Sequence, residues 1–200
     1  LEAGEGRVLI CGEKRGANAI GVEYNPDRVK FSRQNAVREG LARKVQFVEG
    51  DIFEFDFSKA TVISMFLLPE INMKLRPKLL NMKAGTRIVS NTFTMQEWEY
   101  DDMVRTAAAD RWNTAYLWIV PAKVEGTLNI PRHGELRLKQ EFQMVKGVLV
   151  AGNQQYTLND GRLKGTEIRF TANGKSYSGR ISGNSMEGTY GNGESREKWS

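Results

Sequence analysis

Short apolar runs alternate with longer, mixed stretches through the first 120 residues of the chain. The apolar runs occupy positions 19–23, 45–48, 61–68 and 87–92, and each is short enough to be a strand. Strands that alternate with helical segments of ten or more residues are typical of parallel βαβ crossovers, which cover both faces of a sheet. The pattern therefore predicts an α/β domain with a mostly parallel sheet over residues 1–120.

Two of the stretches between these runs carry helix signals. Asn25 is suited to an N-cap, Pro26 fits the first helical position, and Gly40 provides a stop signal. A second helix is predicted over 69–82, where Pro77 indicates a bend or a division into two shorter pieces.

The pattern changes after residue 120. Polar and apolar residues alternate at 135–145, and strand-like pieces follow at 167–171, 176–181 and 185–190. Turn-forming pairs such as Asn173-Gly174 separate these pieces, and tight turns at roughly ten-residue spacing are typical of antiparallel hairpins. We predict a small antiparallel β-meander, with a half-barrel as the alternative, so that residues 1–120 and 121–200 form separate domains.

The composition fits a soluble globular protein with a substantial core. Of the 200 residues, 40% are hydrophobic and 26% are charged, which excludes collagen-like and mostly disordered classes. The apolar runs are far shorter than the roughly 20 residues that span a bilayer, so no transmembrane segment is predicted. Lys and Arg outnumber Asp and Glu by 29 to 24, but the signs alternate, which makes nucleic acid an unfavoured partner.

Several residue types that carry chemistry are scarce. Cys11 is the only cysteine and His133 the only histidine, so neither an internal disulfide nor a metal site is predicted. Cys11 is expected to be a small buried residue, and His133 a loop residue rather than a general base. Trp98, Trp112 and Trp118 are expected in the core.

Four features in the first domain follow one another in a suggestive order. A Gly4-x-Gly6 loop comes first, and Glu23 then ends the first predicted strand. Asp51 follows the second strand, and Pro69 follows the third. In open α/β sheets, ligands bind at the carboxyl ends of the strands. The ordered set therefore predicts one ligand site at this edge.

The residue types suit a nucleoside. Gly4 and Gly6 allow the backbone to approach a ligand closely and to aim amides at it. Glu23 can accept hydrogen bonds from two ribose hydroxyls. Asp51 can accept from an adenine amino group while Ile52 packs on the ring face.

Residues 1–100 resemble the class I S-adenosylmethionine-dependent methyltransferases, and in particular a bacterial subgroup with a C-terminal β-rich extension. The motif Gly-Val-Glu-Tyr-Asn-Pro stands unchanged, and Gly-Asp-Ile-Phe matches the family's third motif. Further similarity extends to the start of the extension. These segments lie at 21–26, 50–53, 66–70, 75–80 and 118–124. The resemblance implies a Rossmann-like sheet and S-adenosylmethionine as the cofactor.

The resemblance also assigns neighbours to the transferred methyl group. It implies that Leu68, Pro69 and Glu70 lie near the methyl acceptor. Tyr24 is expected to lie partly in the core, with contact to the adenine as a second role. No catalytic residue is predicted, because the sulfonium is already an activated leaving group and the protein mainly supplies alignment.

Two departures from the family pattern stand at the start of the sequence. The family's glycine loop follows a central strand that this sequence does not show, so we expect a sheet without its N-terminal strand. In the register that aligns Arg7, Glu2 occupies a glycine position of the family, while Gly4 and Gly6 are kept. In the alternative register Glu2 is the leading acid and the third glycine is lost.

The segment 7–20 admits two structures. Residues 7–11 alone suggest a strand, whereas the resemblance implies a helix after the glycine loop. A strand would leave only 12–18 before the next strand, which is too short for a parallel crossover of about a dozen residues. We predict the helix, and a hairpin is the alternative.

These observations predict a methyltransferase that uses S-adenosylmethionine and acts on an unidentified acceptor, for which a protein is one option. The alternative is a methyltransferase-like protein with little or no cofactor binding that serves as an interaction module. A nicotinamide-dependent oxidoreductase is a further rival, although no second mononucleotide-binding half is present. We favour the cytoplasm, and export stays open because the sequence begins at Leu1 without an initiator methionine.

Overall fold

A computed structural model describes residues 1, 4–107, 112–130, 134–183, 185–192 and 195–199. Glu2 and His133, for which the sequence pattern led to expectations, lie outside the described residues. Three helices are described: α1 (Arg7–Glu13), α2 (Pro26–Arg38) and α3 (Pro69–Leu80).

The described residues form fifteen strands. In chain order they are β1 (Ala19–Glu23), β2 (Val45–Glu49), β3 (Val62–Met65), β4 (Arg87–Asn91), β5 (Asp102–Arg105), β6 (Thr114–Ile119), β7 (Gly126–Ile130), β8 (Gly134–Glu141), β9 (Met144–Ala151), β10 (Gln154–Thr157), β11 (Asn159–Lys164), β12 (Glu167–Ala172), β13 (Lys175–Ser182), β14 (Ser185–Asn192) and β15 (Ser195–Trp199).

Helices α2 and α3 begin where local signals predict, and α1 begins where the family resemblance implies a helix. The helix after the glycine loop is confirmed as α1, and Pro69 opens α3. Asn25 caps α2, because its side chain accepts hydrogen bonds from the amides of Asp27 (2.9 Å) and Arg28 (3.4 Å). Gly40 follows this helix with φ +70°, a conformation that glycine adopts without a steric penalty.

The fold-class prediction is wrong. A single Rossmann-like sheet is not formed: β1 and β2 pair in parallel as a two-stranded sheet, while β3, β4, β6 and β5 form a separate four-stranded sheet in that order. Among the described residues α1 precedes β1, and no strand bridges β1 to β3. Strands also far outnumber helices, so the described chain is mostly β.

The predicted small meander is also wrong, because β7 to β15 form one nine-stranded sheet that closes on itself. The closed ring runs β7-β8-β9-β11-β12-β13-β14 and returns to β7, with β10 and β15 paired outside it. Two brief pairings complete the ring: Gly161 with Val145, and Ser185 with Asn129. The ring encloses a core of aliphatic and aromatic residues that includes Leu136, Leu163 and Ile168.

The described chain divides into two compact units. The first consists of Leu1–Pro77 and Ile88–Trp118, and the second of Lys78–Arg87 and Ile119–Ser200. The functional division at residue 120 stays a prediction. Within the described residues, no helix has the length and apolar character needed to cross a membrane.

Some burial expectations hold and others fail. Trp98 and Trp118 are fully buried, and the indole Nε1 of Trp118 donates to the carbonyl of Trp98 at 2.8 Å. Trp112 is 37% exposed, and Cys11 is exposed on α1 rather than buried. Cys11 is exposed because the buried side of α1 contains Ile10, and the next residue along the helix lies on a different side.

Candidate functional site

Glu23 lies at the carboxyl end of β1 with only 4% of its surface exposed. Its Oε2 accepts a hydrogen bond from the amide of Gly4, and its Oε1 accepts from the amide of Asn25, both at 3.1 Å. A buried carboxylate is costly unless it is hydrogen-bonded, and these two amides satisfy part of that requirement. Glu23 thus fixes the glycine segment at the end of the strand.

Helix α2 holds the other side of the glycine segment. The hydroxyl of Ser32 donates to the carbonyl of Gly4 at 2.7 Å, and the Asn35 amide donates to the carbonyl of Glu5 at 3.0 Å. Sequence reasoning missed both residues. The sequence does contain a signal for Ser32, because its helical spacing from Val29 and Ala36 places a polar residue on the apolar side of α2. In the structure Ser32 is fully buried.

The glycines are required by the backbone geometry. Gly4 has φ +54° and Gly6 has φ +77°, where other residues are strained. A Cβ on Gly6 would lie only 2.9 Å from the ring of Phe47 on β2. The segment can therefore pass close to the sheet only because a side chain is lacking there.

The structure brings Glu23 and Asp51 to the same edge of the two-stranded sheet. In the parallel register Glu23 pairs with Glu49, and the amide of Gly50 donates to the Glu23 carbonyl at 3.1 Å. Asp51 is exposed, and its Oδ1 accepts from the amide of Phe53 at 2.8 Å. The two carboxylates follow neighbouring strand ends, as the nucleoside prediction requires.

Two of the three residues proposed for the adenine differ sharply in exposure. Tyr24 is 75% exposed next to Glu23, whereas Ile52 is only 5% exposed. Tyr24 therefore has most of its ring available at this edge. Ile52 contributes mainly to the core, and its role toward a ligand stays a prediction.

The predicted acceptor residues follow the third strand. Leu68 is 59% exposed and directly precedes α3, which begins with Pro69 and the exposed Glu70. The backbone nitrogen of Leu1 donates to the carbonyl of Ser64 on β3 at 2.7 Å. Since three peptide units span at most about 11 Å, this contact keeps the end of β3 near Gly4.

An ion pair ties α3 to the segment after β4. The Arg76 guanidinium donates to the carbonyl of Met95 at 3.0 Å and to the carboxylate of Glu97 at 2.7 Å. The hydrogen bond from Arg76 lowers the pKa of Glu97 from its ordinary value, and a hydrogen bond from the backbone of Glu97 itself lowers it further. Within the described part of the chain, no group of three His, Cys, Asp or Glu side chains could hold a metal ion.

The sequence analysis predicts that the adenosyl part of S-adenosylmethionine binds at this edge. An ionised carboxylate has about four acceptor positions, and the two amides use two of those on Glu23. Each oxygen can therefore accept one further bond, from a ribose hydroxyl. Asp51 and Tyr24 follow the ends of the same two strands and are both exposed.

Comparison with known proteins identifies the class. Residues 1–102 match the family model described as the ANTKMT methyltransferase domain. A solved structure of an RNA methyltransferase from Salinibacter ruber, in complex with S-adenosyl-L-homocysteine, is 40% identical with a TM-score of 0.57. The match covers 62% of this chain and 79% of that one. The chain is thus an S-adenosylmethionine-dependent methyltransferase. It belongs to the ANTKMT methyltransferase family.

Curated relatives include two from distant organisms. A protein-lysine N-methyltransferase of Saccharolobus islandicus is 35% identical over 60% of this chain and 76% of its own length. The adenine nucleotide translocase lysine N-methyltransferase of Mus musculus is 30% identical over 50% of this chain and 44% of its own length. The chain therefore spans about three quarters of the archaeal relative but less than half of the mouse one. The nicotinamide oxidoreductase is no longer a competing interpretation.

Proposed function

We propose that the chain transfers a methyl group from S-adenosylmethionine to a lysine side chain of a protein. The observation that carries this proposal is the likeness to the archaeal protein-lysine N-methyltransferase, which extends over three quarters of that protein. The mouse relative is also a lysine N-methyltransferase by name.

The cofactor would be held by the residues at the ends of β1 and β2. We assign the methionine portion to the segment of Gly4 and Gly6, and the ribose to Glu23. Tyr24 and Asp51 would hold the adenine, with Ile52 beneath it. The buried Glu23 carries most of this assignment, because its carboxylate also fixes the glycine segment.

The chemistry requires little from the protein beyond alignment. S-Adenosylmethionine, when bound, supplies a methyl group on a positively charged sulfur. The acceptor lysine would bind as its ammonium form and release one proton to water. Its neutral amine would then attack the methyl carbon as the carbon–sulfur bond breaks. Holding two reactants in line removes several kcal/mol of entropic cost. We place the acceptor beside Leu68, Pro69 and Glu70, at the carboxyl end of β3.

The β-rich region is proposed to support the first domain or to position the acceptor. Its closed sheet has its own buried core, so it can present a stable surface without help from the cofactor.

RNA is the second candidate acceptor. The Salinibacter protein, at 40% identity, is described as an RNA methyltransferase, and this chain carries a net charge of +5. The two candidates differ in what takes up the label, so one assay separates them.

The assay incubates the protein with methyl-tritiated S-adenosylmethionine and an extract that contains both protein and RNA. We expect label that protease releases and ribonuclease does not, with mass spectrometry placing the methyl group on lysine. The Glu23→Gln variant should lose most of the label, while Glu49→Gln, which changes its exposed partner across the register, should keep it. Label that only ribonuclease releases would overturn the lysine proposal.

A further inference from the structure

Three aromatic rings form a cluster after β3, after β4 and before β6. We propose that this cluster of Phe66, Phe93 and Trp112 receives the side chain of the acceptor lysine. The inference rests on the proposed lysine methylation and adds the residues that select the acceptor.

The rings contact one another and still reach solvent. Phe66 and Phe93 have centroids 6.0 Å apart at an interplanar angle of 19°, and both lie against Trp112 at 5.6 and 5.8 Å. Phe66 is 49% exposed and Trp112 is 37% exposed. Large apolar rings left at the surface as a group indicate a binding site rather than a core.

The position of the cluster matches the end of the strands where the acceptor is proposed to lie. Phe66 directly follows β3, which ends at Met65, and one residue separates it from Leu68. Phe93 follows β4, and Trp112 precedes β6; these strands are neighbours in one sheet. The hydrogen bond between Leu1, three positions before Gly4, and Ser64, two positions before Phe66, connects the glycine segment to the end of β3.

The backbone that presents Phe93 is strained. Thr92 has φ +67°, which is rare for a β-branched residue. Its amide donates to the carbonyl of Thr114 at 2.7 Å, and the hydroxyl of Ser90 donates to the carbonyl of Phe93 at 2.7 Å. Strained residues persist only where the surroundings hold them, and they concentrate at functional sites. Here the strain turns the chain so that Phe93 joins the other two rings.

The geometry favours a lysine over a flat base. An ammonium group is attracted to aromatic faces, and the methylene chain of lysine packs on apolar rings. Trp112 meets the two phenylalanines at 65° and 54°, which makes a corner rather than a flat platform. A nucleic-acid base prefers to stack on a single open face. The corner therefore fits a narrow cationic chain.

The test uses the full chain and separates acceptor binding from cofactor binding. Phe93→Ala and Trp112→Ala are compared with the conservative Trp112→Phe and with Phe31→Ala, which removes another ring, 42% exposed, from α2. Each variant is titrated with S-adenosylhomocysteine by calorimetry. Each is then assayed for lysine methylation at rising concentrations of a protein extract.

We expect both alanine variants in the cluster to raise the half-saturating acceptor concentration by about tenfold, which corresponds to the loss of one cation–π contact. Affinity for S-adenosylhomocysteine should stay within about twofold, Trp112→Phe should retain most activity, and Phe31→Ala should match wild type. Unchanged acceptor saturation in both alanine variants would overturn the inference and leave the proposed function intact. Loss of cofactor affinity in parallel with transfer would also overturn it. If wild type methylates RNA alone, the proposed function fails, and the inference fails with it.

Discussion

At the scale of single residues, Glu23 links the sequence motif to the site. Its place after a strand predicts a ligand contact, and the structure adds that its two oxygens already hold Gly4 and Asn25. Those backbone bonds are invisible in the sequence, because they depend on where the chain folds back over the strand. The motif predicts a ligand role for Glu23, and the fold shows in addition that its carboxylate holds the glycine segment.

Gly6 offers a test of that segment. Gly6→Ala should destabilise the protein by about 1–3 kcal/mol, because the added methyl would lie 2.9 Å from the Phe47 ring in a left-handed backbone. Urea unfolding measures the effect. Gly12→Ala is the control, since its Cβ meets only an ordinary contact at 3.8 Å. Equal stability of Gly6→Ala and wild type would show that the segment is not packed as described.

At the scale of elements, local signals located α2 and α3 but neither α1 nor the pairing of the sheets. Capping by Asn25 and the proline at the start of α3 act within a few residues, so the sequence shows them directly. Strand partners are set by contacts distant in sequence. The ring closes where β9 meets β11 and where β14 meets β7, and neither pairing leaves a local pattern.

The ring closure can be tested at Gly161. A Cβ on this residue would lie 2.2 Å from the carbonyl oxygen of Val145, so Gly161→Ala must push β11 away from β9. We expect a loss of about 1–3 kcal/mol in the free energy of unfolding. Gly50→Ala, whose Cβ meets nothing within 4 Å, should change stability much less. Equal effects of the two variants would contradict the tight pairing at Gly161.

The link between α3 and the segment after β4 depends on pH. The hydrogen bond from Arg76 lowers the pKa of Glu97 in the folded protein. The ion pair therefore stabilises the fold above the unfolded pKa of Glu97, near 4.5, and this stabilisation is lost as the pH falls through the pKa of Glu97 in the folded state. Wild type should therefore melt slightly above Glu97→Gln near neutral pH, and the gap should close in acid. Thermal melts across pH measure this gap. A gap that stays constant into acid would exclude the ion pair as its source.

At the scale of the whole molecule, family and fold class were predicted with different success. The methyltransferase class was confirmed. It could be predicted because a few residues at strand ends form motifs that are characteristic of the family. The single α/β sheet was wrong, because among the described strands β1 and β2 pair only with each other and most of the others belong to the closed sheet. The order of motifs along the sequence therefore predicted the class of enzyme correctly, although the predicted fold class was wrong.

A cofactor site built around Glu23 is the central element of the proposed activity. Calorimetric titration of the full chain with S-adenosylhomocysteine tests it, with Glu49→Gln as the matched control on the neighbouring strand. Wild type and the control should bind equally, and Glu23→Gln should bind about 10–100-fold more weakly, as expected for a lost hydrogen bond to a charged group. Failure of wild type to bind, or equal binding by Glu23→Gln, would contradict a cofactor site at this residue.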